Sequence, residues 1–123
     1  MNRVIKNSIL AVLILAFGPA LACEYPNRPH IPDGSTATKD ELLAGKSAVQ
    51  TYLTSVDDYL NCVDAETQAA VRKIGESDPE MVKRRNKLLD QKFDAANQEK
   101  ELVGEQFNQQ VRAYNEQRNK SSE

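Results

Sequence analysis

The sequence predicts an all-α protein: a long antiparallel two-helix hairpin, coiled-coil-like, with an extended proline-rich arm at its N-terminal end. Three observations carry this. Apolar stripes of helical period run over about 39–74 and 79–118, a glycine-serine-proline break separates them, and prolines recur every third residue ahead of the first stripe.

Before the arm, residues 1–22 read as a secretory signal peptide of Gram-negative bacterial type. Arg3 and Lys6 give a positive start, Ile9 to Phe17 an apolar run, and Ala20-Leu21-Ala22 a small-x-small cleavage site. The run falls short of the roughly 20 residues that a membrane span needs. Cleavage after Ala22 predicts a periplasmic or secreted protein of about 100 residues whose first residue is Cys23.

Two fates of Cys23 exclude each other. It can bridge to Cys62, since an even cysteine count in a small exported domain points to a disulfide. Alternatively it carries lipid, Cys62 stays free, and the protein is a lipid-anchored envelope protein that meets the membrane. Lipoprotein signals place a large apolar residue three positions before the cysteine, and here Ala20 and Leu21 stand in the reverse order. The disulfide is the expectation.

Removing the leader removes Arg3 and Lys6 and no acid, so 16 Lys and Arg against 18 Asp and Glu become 14 against 18, a charge of about −4. Nucleic acid is excluded as a partner, because its binders show a clustered basic excess. The chain has no Trp, so it supports one small core at most.

The arm occupies 23–37. Pro26, Pro29 and Pro32 match the three-residue turn of polyproline II, and Asp33-Gly34 ends it in a turn. The first helix starts at a Thr38-x-x-Glu41 capping box. Along it Leu42, Val49, Tyr52, Val56, Leu60, Val63, Ala70 and Ile74 share one face. Gly75 stops this helix, and Ser77-Asp78-Pro79-Glu80 reads as a second capping box that starts the next. Val82, Leu89, Phe93, Ala96, Val103, Phe107, Val111 and Tyr114 form the second stripe, and residues 120–123 form a disordered tail.

A short connection between helices of matched length implies an antiparallel pair whose facing residue numbers sum to about 153. That register sets Leu42 near Val111, Val49 near Val103, Val56 near Ala96, Leu60 near Phe93, Val63 near Leu89 and Ala70 near Val82. It also sets Gly45 opposite Phe107, leaving room for a ring. Cys62 lies about 120° from the stripe of its helix, on a side that an arm running alongside can reach.

The chain offers little chemistry. It has one histidine, His30, and no Cys/His pair, Ser/His/Asp set or His cluster of metal spacing, so no enzyme activity, cofactor or metal site is expected. Asp57 and Asp58 are helix neighbours that point apart. The hairpin tip gathers Arg72, Lys73, Lys83, Arg84, Arg85 and Lys87 among Glu76, Asp78 and Glu80, a mixed-sign solvated surface. Asn119-Lys120-Ser121 forms a glycosylation sequon that a bacterial leader makes irrelevant. What remains is Leu88, Ala95 and Leu102, apolar at seven-residue spacing on a second face of the second helix, where the arm or a partner can sit.

The segment Cys-Glu-Tyr-Pro-x-x-Pro-x-Ile-Pro-Asp-Gly-x-x-Ala-Thr-x-x-Glu-Leu, together with Cys62, resembles a group of small, uncharacterised exported proteobacterial proteins. The likeness covers about 40 residues and transfers no activity or site. Helical periplasmic chaperones are an architectural analogy only: the Leu-Thr-x-x-Gln repeats of the Spy type are missing, and nothing reads as the trimerising sheet of the Skp type.

The function expected is therefore a non-enzymatic periplasmic interaction or structural hairpin that binds another protein or itself. The alternative is an envelope chaperone or stress protein that holds unfolded clients.

Overall fold

The structure, a computed structural model, describes residues 22–122 and contains two helices, α1 (Lys39–Ile74) and α2 (Pro79–Lys120), packed as a hairpin. Residues 1–21, which hold all but the last residue of the expected signal peptide, and Glu123 lie outside the described range.

Local chemistry sets the ends of α1. The Thr38 hydroxyl accepts from the Glu41 amide at 3.2 Å, while the Thr38 amide donates to the Glu41 carboxylate at 2.7 Å, which closes the expected capping box. Asp40 and Glu41 in the first turn and Arg72 and Lys73 in the last complement the helix dipole. Gly75 ends the helix at φ 56°, a backbone region that side chains disfavour, and its amide donates to the Val71 carbonyl at 2.9 Å.

The start of α2 differs from expectation. Asp78, not Ser77, is the cap: its carboxylate accepts from the Met81 amide at 2.9 Å, and the Ser77 hydroxyl turns back to the Ile74 carbonyl. With Gly75 closing α1 so near, Ser77 is held by the end of one helix, and Asp78 is free to cap the other. Pro79 follows in the first turn, where its missing N–H removes no helix bond. At its far end α2 runs to Lys120, two residues past the expected stop. The Ser121 and Ser122 hydroxyls donate there to carbonyls of the last turn.

The two stripes meet. Val49, Tyr52, Val56, Leu60 and Val63 of α1 are buried with Ala96 and Val103 of α2, and Leu89, Phe93 and Phe107 pack against them. Val56 and Val103 are wholly enclosed. Leu42 and Val111 line one groove, as the register requires. Ala70 and Val82 are only half-buried, so the packing thins toward the turn.

The arm forms a third layer. Cys23 and Cys62 form a disulfide, with Cα atoms 5.7 Å apart, which pins the start of the arm beside α1. Its far end is pinned by two close approaches. Gly34 is buried, donates its amide to the Gln110 side chain at 2.8 Å, and lies so near the α2 backbone that a Cβ would collide with the Gln110 carbonyl. Gly45 of α1 opens a seat that Pro32 fills, its ring carbons 2.7 and 2.9 Å from where a Cβ would stand; the Phe107 ring lies 3.4 Å from the same point. The expected Gly45 and Phe107 pairing is present, with Pro32 the nearer neighbour.

Candidate interaction surface

Between its two anchors the arm spends its own apolar groups on the hairpin. The Tyr25 ring meets Tyr59 edge to face, with centroids 4.9 Å apart, and its hydroxyl lies 3.4 Å from that of Tyr52. Tyr52 is only 4% exposed, and burial, aided by the Tyr25 hydrogen bond, pushes its phenol far above the ordinary tyrosine range. Cys23 and Ile31 also pack on the core. Across the groove, the Arg28 guanidinium pairs with Glu99 of α2 at 2.7 Å.

These contacts fix what the arm leaves open. At 100° per residue, Glu99 and Gln110 fall between the buried stripe of α2 and the line of Leu88, Ala95 and Leu102. The arm therefore stops short of that line. Leu88 is 53% exposed and Leu102 46%, and Ala95 between them is exposed too. Met81, one heptad earlier, extends the line at 37% exposure. Sequence reasoning missed Met81 because it sits beside a helix cap; carrying the seven-residue spacing one step back finds it.

Other candidate residues stay apart. His30 is exposed on the arm, near Pro32, Glu41 and Ala44 around a shallow depression. Asp57 forms an ion pair with Lys100 of α2 and Asp58 points to solvent, so the two carboxylates do not work together. Ser35 holds the Asp33 carboxyl below its usual range through its hydroxyl and then its amide. The basic residues of the tip are solvated. On the side of α1 away from the arm, Leu42, Leu43, Phe107, Val111 and Tyr114 line a groove of about 230 Å³ between Lys39 and Lys46. Among the described residues no group of three or more His, Cys, Asp or Glu side chains is placed to hold a metal ion, and no helix is long and apolar enough to cross a membrane.

The class defined here is a two-helix hairpin with a disulfide-pinned arm. Comparison with protein-family models, with curated proteins and with solved structures gives no match to this chain.

Proposed function

We propose that this chain is an exported, non-enzymatic interaction hairpin that docks through the exposed line of Leu88, Ala95 and Leu102 on α2. One observation carries the reading. The chain has enough apolar surface to build a core and cover it with an arm, yet it leaves large aliphatic side chains on one straight line in water. Scattered exposed leucines need no explanation, whereas a heptad line on a rigid helix has the geometry of a docking seam.

Export is supported by the leader and by the disulfide, since such bonds persist in oxidising compartments. A Cys23 sulfur held in a disulfide is not available for a lipid thioether, which favours a protein free of the membrane. The test is photo-crosslinking in the intact envelope from a probe in place of Leu88, with a probe in place of exposed Gln68 as control. Discrete adducts from position 88 and none from 68 are expected. Equal, diffuse adducts from both positions contradict the reading. Client holding is the second outcome: it requires suppression of aggregation in light scattering that Leu88→Lys abolishes.

A further inference from the structure

Among the described residues five large apolar side chains stand exposed, and three of them, Met81, Leu88 and Leu102, lie on the same line of α2. The line spans about 31 Å at 1.5 Å per residue. Ala95, small and near its middle, lets another helix come close. The charges along α2 are sorted. Lys83, Arg84, Arg85 and Lys87 crowd one end of the line, with Glu80 as the lone anion beside them, and Asp94, Glu99, Glu101 and Glu105 crowd the other, with Lys100 as the lone cation among them.

This polarity selects the occupant. A parallel copy of α2 sets like charge against like, whereas an antiparallel copy sets the basic end on the acidic end. An anionic lipid surface suits only the basic half. We infer that the line is the self-association seam of this protein, occupied by α2 of a second copy, antiparallel, about a two-fold axis between Leu88 and Ala95. The inference rests on the reading of this line as the docking face.

The register is specific. Two-fold symmetry sets Met81 against Leu102 of the second copy and Leu88 against its Ala95, each contact occurring twice. Arg85 then faces Glu99 of the second copy, and Lys87 faces its Asp94. Glu99 already holds Arg28 within its own chain, so the seam is continuous with the arm. Lys92 meets its own counterpart near the axis and Glu80 meets Glu101 of the second copy, like-charge contacts that weaken the pairing.

Sedimentation equilibrium of the oxidised mature protein, from micromolar to sub-millimolar concentration, tests this. The expected mass climbs from one chain to two. Leu88→Lys with Leu102→Lys stays at one chain throughout, with unchanged helicity and, at micromolar concentration where the wild type is also one chain, unchanged melting temperature. Lys87→Glu or Asp94→Lys alone weakens dimerisation several-fold, and the two together restore it. A wild-type protein that remains one chain over the whole range overturns the inference, as does a dimer indifferent to the leucine changes. Crosslinks from position 88 tell the two readings apart: adducts with other proteins alone sink self-pairing and leave the docking face standing, and no discrete adduct sinks both.

Discussion

Removing the disulfide with Cys23→Ser and Cys62→Ser perturbs the fold at a point where the effect can be worked out. The bond spans 39 residues. Chain-entropy reasoning gives about 4 kcal/mol for a loop of that length, and measured losses run from about 2 to 4 kcal/mol. A domain of this size holds about 5 to 10 kcal/mol in total, so the loss is a large share of it. Each kcal/mol moves the melting temperature of a domain near 100 residues by about 4 to 8 °C, so a loss of 3 kcal/mol lowers it by about 12 to 24 °C. Thermal unfolding followed by far-ultraviolet circular dichroism, at one fixed protein concentration, reads the change. The hairpin should remain helical at low temperature, because its core and the Gly34 anchor are untouched. A fall of less than about 4 °C refutes the reasoning, since it means the bond constrains little that the other anchors do not already hold.

Three further predictions follow from single contacts. Gly34→Ala forces a Cβ into the Gln110 carbonyl and frees the arm's far end, costing about 1 to 3 kcal/mol in urea unfolding; Gly104→Ala, where the new Cβ meets nothing within 4 Å, stabilises by about 0.5 to 1 kcal/mol. Burial raises the Tyr52 phenol above its ordinary value of 10.0, so the folded state keeps a proton that the unfolded chain loses. That contribution is fully present below pH 10 and is lost as pH rises through the folded value; Tyr52→Phe removes this alkaline decline in melting temperature. Thr38→Ala removes the hydroxyl half of the capping box, leaves the amide of residue 38 donating to Glu41, and costs about 1 kcal/mol at pH 7. The Thr38 amide, then the Thr38 hydroxyl, lowers the Glu41 carboxyl; the hydroxyl's share of that stability, the part the variant loses, is present above pH 4.5 and fades as pH falls through the lowered value. The gap between the two melting curves should narrow in acid without closing, because the bond from the Glu41 amide to the Thr38 hydroxyl does not titrate.

Much of this fold is legible in the sequence because period and punctuation agree. The stripe from Leu42 to Val63 needs only 3.6-residue spacing, and Gly75 and Pro79 mark the break on either side. The pairing of Gly45 with Phe107 is legible too, since a short turn leaves one register that matches apolar to apolar. The arm is legible only in part. Its polyproline spacing is plain, but Gly34 against Gln110 and Pro32 against Gly45 join residues far apart in sequence through backbone closeness, which leaves no periodic trace. The N-cap of α2 is ambiguous in the sequence for a local reason: Ser77 and Asp78 are both good caps, and only the hydrogen bond from Ser77 back to Ile74 decides between them. On the candidate surface, Leu88, Ala95 and Leu102 are visible as a heptad. That the arm stops at Glu99 and Gln110 and leaves them uncovered is a tertiary fact.

Carbene footprinting of the oxidised mature protein at rising concentration tests the docking line most directly, because it labels aliphatic side chains according to their access to water. Leu43, 54% exposed on the side away from the arm, serves as the internal standard. The account predicts that labelling of Met81, Leu88 and Leu102 falls together as concentration rises while Leu43 holds constant. Labelling that stays proportional at all four residues, both in purified protein and in envelope extract, contradicts it.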